Sequence, residues 1–171
     1  MLLASVPAVP PRSNSVEIHF YVGQSETFLP GGRSVGKQQV LVERILDEAD
    51  GKIVERVISP DYRHPGRYNE FVVTMAVDAA AGTLTQTERN KAFVGTGVLK
   101  GEPWHWTAWH TTSTLAGGGK VDSEDRLTST GMADDKTVDA PDGRHQVTQK
   151  EAFTEVNPAE FERIYYGWML D

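Results

Sequence analysis

The chain has no cysteine among its 171 residues. Disulfides, cysteine-ligated zinc, iron–sulfur clusters and thiol nucleophiles are thereby excluded. Basic residues are also in short supply: 17 Lys and Arg stand against 24 Asp and Glu, a net charge of -7. A surface of that sign repels phosphate backbones and anionic lipid, and no basic groove is apparent, so nucleic acid is not an expected partner. No apolar run approaches the roughly 20 residues of a membrane-spanning helix, so no membrane span is expected either. The apolar opening from Met1 to Pro11 lacks a basic flank and is broken by Pro7 and Pro10, which does not fit a signal peptide. Residues 1–14 read as an extended flexible arm, and a cytoplasmic location is the default expectation.

Motifs of chemistry are equally sparse. There is no GxSxG elbow, and no serine stands beside a histidine in a recognisable pattern. The five histidines, His19, His64, His105, His110 and His145, form neither HxH nor HExxH, so no metal site is expected. A lone axial histidine to haem is conceivable in a barrel, but no cofactor is called for. An acid/base role is open to His110, Tyr62 or Glu88. The carboxylates of Asp122-Ser123-Glu124-Asp125 and Asp134-Asp135 read as a solvated acidic rim, the second pair in a turn.

What is present is β-pattern. Segments near 16–22, 38–48, 52–59, 69–78, 83–89, 92–100, 104–115, 120–131, 133–139 and 145–155 are rich in Val, Ile, Thr and aromatics. Asp50-Gly51, Ala81-Gly82, Gly117-Gly118-Gly119 and Pro141-Asp142-Gly143 supply turn residues between them. Asn157-Pro158-Ala159-Glu160 then reads as N-cap, N1 proline and capping-box glutamate. Phe161, Ile164, Tyr165 and Trp168 follow as one apolar stripe, predicting a helix over 158–168. The expected fold is all-β. One domain over residues 15–171 forms a single antiparallel meander β-barrel of about nine to ten strands with one C-terminal α-helix, packed outside it or across an opening.

Two features suggest a site. Around Ala49-Asp50-Gly51 a three-residue turn with a bulge would set Arg44 opposite Arg56. Paired like charges are costly unless an anion lies between them, so a ligand carboxylate, Glu124 or Asp125 from a neighbouring strand, or solvent is required there. The second is Trp104-His105-Trp106-Thr107-Ala108-Trp109-His110, which holds three of the four tryptophans. Strict strand alternation puts Trp104, Trp106, Ala108 and His110 on one face and His105, Thr107 and Trp109 on the other. That first face either lines a ligand cavity, together with Phe93, or plugs the barrel end. Gly95 and Gly97 on the preceding strand leave room for a neighbouring ring, such as Trp104 or Trp106.

The meander, the Gly/Pro-rich stretch from Gly23 to Gly36 and the final helix resemble the lipocalin-like, or calycin, barrels, especially bacterial lipocalin-like domains of similar length. The resemblance covers about residues 16–171. The first strand here reads Ile18-His19-Phe20-Tyr21-Val22-Gly23 where the lipocalins proper carry Gly-x-Trp, so no binding residue is transferred. What the resemblance implies is binding of a small hydrophobic ligand in the lumen. Two alternatives stand beside it: a barrel isomerase or cyclase acting on a hydrophobic substrate, and a module that forms a homodimer through its external strands.

Overall fold

A computed structural model describes residues 15–61, 64 and 66–170. The arm expected at 1–14 and the candidate Tyr62 lie outside the described residues. In chain order the strands are β1 (Val16–Phe28), β2 (Ser34–Asp47), β3 (Lys52–Pro60), β4 (Tyr68–Asp78) and β5 (Thr83–Glu88). They continue as β6 (Phe93–Glu102), β7 (His105–Leu115), β8 (Lys120–Leu127), β9 (Gly131–Asp139) and β10 (His145–Val156). Helix α1 (Pro158–Leu170) follows. Each strand pairs antiparallel with its chain neighbours, and β1 also pairs with β10, closing an all-β barrel of ten strands. Closure leaves no row of unpaired backbone groups at a sheet edge. The seam joins the two ends of the chain: His19 on β1 bonds Glu155 on β10 across 136 residues.

The helix begins as its cap chemistry dictates. Asn157 Oδ1 accepts the Glu160 amide at 3.0 Å, and Pro158 occupies the first helical position. Phe161, Ile164, Tyr165 and Trp168 pack against Leu41, Ile58, Phe20 and Val156 on the outside of the barrel. Leu41 and Ile58 are fully buried there. The helix therefore covers the wall beside the seam and leaves the lumen uncovered on that account. Inside, Ile53, Met75, Leu84, Leu99, Trp106 and Trp109 form one apolar cluster, and Tyr21, Val40, Val42, Met132 and Phe153 another.

Three local departures from the sequence reading decide what the lumen contains. First, the Gly23–Gly36 stretch is not a long loop: β1 runs to Phe28 and β2 begins at Ser34. Gly23 serves close approach instead of a turn, since a Cβ there would collide with the Phe153 ring and the Ala152 carbonyl. Second, the β2–β3 register puts Arg44 opposite Glu55 and Glu43 opposite Arg56. The expected Arg44–Arg56 pairing is thus corrected. The connection is the four residues 48–51, closed by the Gly51 amide on the Glu48 carbonyl and the Asp50 amide on Asp47 Oδ1. One residue more in the turn shifts every side chain of the partner strand to the other face, and opposite charges then meet.

Third, β7 carries a bulge. Lys100 pairs with Ala108, but Gly101 pairs with Trp106, so Thr107 is the extra residue. Gly101 takes φ 120°, a left-handed value that favours glycine, opposite this point. The bulge breaks the expected alternation, and Trp106 and Trp109 are both buried inside while His110 moves to the outer face. The space at Gly95 and Gly97 is taken by Ser113 and Thr111 of β7, not by a tryptophan ring.

Candidate ligand cavity in the barrel lumen

The lumen holds two cavities, one at each end. The first, about 420 Å³, opens beside the 128–130 connection; His19, Tyr21, Arg44, Trp104, Trp106 and Trp109 are among its walls. The second, about 320 Å³, lies toward the opposite end; Phe93, Ser123, Asp125, Asp134, Lys136 and Glu151 are among its walls. They are called below the His19 and Lys136 compartments. Glu55, Met75 and Trp109 line both, so these three side chains form the boundary.

Arg44 is built into that boundary. Its guanidinium donates to Glu55 at 2.5 Å and reaches Met132 Sδ at 3.1 Å. The Trp109 ring lies 4.4 Å from its Cζ and the Tyr21 ring 5.7 Å, so aromatic faces cover the cation above and to the side. Burial alone would lower the Arg44 pKa, but Glu55 and the Tyr21 hydroxyl outweigh it and hold the charge. In the His19 compartment Leu46, Ile53, Leu84 and Leu99 add apolar wall and His105, Thr128, Ser129 and Thr130 add polar groups, with His19 held between Glu17 and Glu155 at the rim. Trp104 sits in the β6–β7 turn at φ 64°, a left-handed conformation unusual for a bulky side chain. Its ring centroid lies 5.0 Å from that of Trp106.

The Lys136 compartment mixes apolar walls with a charged cluster. Lys136 Nζ lies 2.5 Å from Asp134 Oδ2 and 2.5 Å from Glu151 Oε2. The Ser123 hydroxyl bridges Asp134 Oδ1 at 2.7 Å and Asp125 Oδ2 at 3.1 Å. Burial works to lower the Lys136 pKa, yet Asp134 and Glu151 raise it well above its ordinary value, so the ammonium stays charged. Asp134 shows the converse balance: burial raises its pKa, and the pull of Lys136 only partly offsets it. Asp125 is the outlier. Burial first, then the nearby Asp134 and Glu55 charges, push its carboxyl well above the usual range against the weaker pull of Lys136 and Arg44.

Of the residues singled out in the sequence, Trp104, Trp106 and Arg44 line the His19 compartment and Phe93 the Lys136 compartment. His110 and Arg56 face outward. The Thr107 bulge turns His110 to the exterior, where its Nε2 meets Asp122 at 2.9 Å. Arg56 lies between Glu70 and Glu43 and under the Tyr165 ring of α1. Glu88 is buried but accepts the Asn90 and Ala92 amides, which makes it a brace of the β5–β6 turn. The acidic rim divides by alternation: Asp122 and Glu124 are exposed, whereas Ser123 and Asp125 face in. Asp134 belongs to β9, not to a turn, and only 4% of it is exposed.

The sequence did not mark Glu55, Asp134, Lys136 and Glu151 as inward charges, and it offered Asp125 only as a possible partner of the arginines, on one of which, Arg44, its charge does act. One signal for the inward charges existed: Asp134 and Lys136 stand two apart in a strand, which puts them on one face. Among the described residues no helix is long and apolar enough to cross a membrane. The closed antiparallel barrel is consistent with a lipocalin-like fold. In comparisons with known proteins, the chain matches no protein-family model and no curated protein sequence.

Proposed function

We propose that the protein binds a small, largely apolar molecule in the barrel lumen. The observation that carries this reading is the His19 compartment, a cavity of about 420 Å³ walled by three tryptophans and aliphatic side chains. Concave, mostly apolar space with a few fixed polar groups is what small-molecule sites provide. Trp104, Trp106 and Trp109 offer broad ring faces, and Arg44 and Glu55 mark the polar floor. The rim groups Glu17, His19 and Glu155 give the opening a polar lip.

The test uses N-phenyl-1-naphthylamine, a neutral apolar fluorophore. Saturable enhancement of its emission, with energy transfer from tryptophan and loss of at least tenfold in affinity for Trp106→Ala, is the expected result. No saturable binding, or binding indifferent to Trp106→Ala in a folded variant, overturns it. The reading as an isomerase or cyclase has one observation in its favour, the Asp125 carboxyl raised by burial inside a cavity. In that reading a substrate in the Lys136 compartment would meet Asp125 as its proton donor. It ranks second because a binding role needs only the cavity.

A further inference from the structure

The lumen has the wrong charge for an anionic ligand. At its centre four carboxylates, Glu55, Asp125, Asp134 and Glu151, face two cations, Arg44 and Lys136. Both cations are already committed. Arg44 is bonded to Glu55 and covered by the Trp109 and Tyr21 rings. Lys136 is clamped between Asp134 and Glu151. A ligand carboxylate would add a fifth anion to this set and displace a pair that is expensive to break. The carboxylate expected between Arg44 and Arg56 therefore has no place, since those arginines do not share a face.

Asp125 is left over. It lines the Lys136 compartment, accepts only the Ser123 hydroxyl, through Oδ2, and has no cation within ion-pair distance among the described residues. Its Oδ1 has no hydrogen-bond partner among the described residues, and because no buried side-chain polar atom is stranded, that oxygen keeps accessible surface in a residue that lines the cavity. Around it stand Trp109 and Thr111 of β7, Ser123 of its own strand, and Asp134 and Lys136 of β9, with Val121 and Val138 extending the wall in apolar form. Such a pocket can take a group with N–H donors and a single positive charge on an apolar body. No three acidic or imidazole groups among the described residues converge as metal ligands, so a divalent ion is not the matching occupant.

We infer that the Lys136 compartment is a site for an alkyl- or arylammonium head group, with Asp125 as its principal counter-charge and Asp134 next to it. This rests on the reading of the lumen as a binding space and adds a second site to it, in the compartment across Glu55, Met75 and Trp109 from the His19 compartment. The bound ammonium would bring the cavity to three cations against four carboxylates, the nearest it comes to balance. Asp125 is protonated more readily than a free carboxyl in the empty barrel, for the reasons of burial and like charge given above. Ammonium binding would therefore draw its proton off.

Three probes of one chain length separate the ideas: octylamine, octanol and octanoate, titrated calorimetrically into the full chain. The expected result is that octylamine binds at least tenfold tighter than octanoate. Asp125→Asn should weaken octylamine at least tenfold while octanol changes less than twofold. Octanol binding without an amine preference, or octanoate bound tightest, overturns the ammonium site and leaves lumen binding standing. If none of the three binds, both fail. A second measurement needs no variant: nuclear Overhauser contacts from the octylamine α-methylene should reach Ser123, Val121 and Val138. Contacts confined to Glu17 and Glu155 at the rim of the other compartment would overturn the assignment.

Discussion

Two five-residue words in this chain are nearly the same, and the barrel uses them in opposite ways. Val42-Glu43-Arg44-Ile45-Leu46 on β2 and Val54-Glu55-Arg56-Val57-Ile58 on β3 lie side by side. On β2 the arginine points into the lumen and the glutamate out; on β3 the glutamate points in and the arginine out. The inner pair, Arg44 with Glu55, is 6% and 14% exposed at its side chains, and the arginine is roofed by rings. The outer pair, Glu43 with Arg56, stays 24% and 30% exposed at its side chains and shares its charge with Glu70. Identical chemistry one residue out of step yields a rigid floor in one case and a helix contact in the other. Solvent, not sequence, sets the difference in energy: the inner ions have lost their water and depend on each other.

The sharpest way to break this comparison is Arg44→Ala. It strands Glu55 in the lumen and should cost about 3–5 kcal/mol in urea unfolding. The paired replacement Arg44→Met with Glu55→Leu should recover most of that, because no unpaired charge is left behind. A second test concerns Asp125, the inner charge without such a partner. Its folded-state pKa is raised above the unfolded value of 3.8, so its effect favours folding below that pH and is lost as pH rises through the folded value. Asp125→Asn should thus stabilise the empty protein at pH 7, where the carboxyl must otherwise be charged or hold a proton against solution. The gain should vanish near pH 3, as read from thermal melts across pH.

On the outer side the effects shrink. Asn157→Ala removes the acceptor of the Glu160 amide and should cost about 1 kcal/mol, loosening the helix that covers Arg56. Hydrogen exchange should report the loss in α1 before it reaches the strands. Arg56→Ala should cost less than about 1 kcal/mol, since its ion pairs are partly solvated. An Arg56→Ala penalty equal to that of Arg44→Ala would erase the distinction between the two faces.

The same pair of words shows what could be read from the sequence. The hairpin and its two strands follow from alternating apolar residues around Asp50-Gly51, but its turn is one residue longer than expected. Which face each charge occupies did not follow, because one residue in a turn decides it and both registers sort Val, Ile and Leu about equally well. The Trp-rich strand failed for a related reason. Trp104 and Trp106 were legible as candidate cavity walls and Trp109 was not, because the bulge at Thr107 depends on Gly101 of the neighbouring strand, a partnership that no local pattern announces. The C-terminal helix was legible because its information is local: a cap, a proline and a stripe. The Asp125–Asp134–Lys136 cluster was not, since it converges from β8 and β9 and looks like ordinary surface charge when read along the chain.

The seam between β1 and β10 also has a kinetic consequence. Nine of the ten strand pairings join neighbours in the chain and can form by zipping hairpin onto hairpin. The tenth brings together residues 136 apart, so its loop-closure entropy falls due only at the end. Helix α1 emerges directly from β10 and packs Phe161 on Phe20, 5.0 Å between ring centroids, just where that last pairing is made. The helix therefore works as a latch on a slow step. Destabilising it should slow the final folding phase or speed reopening at the seam.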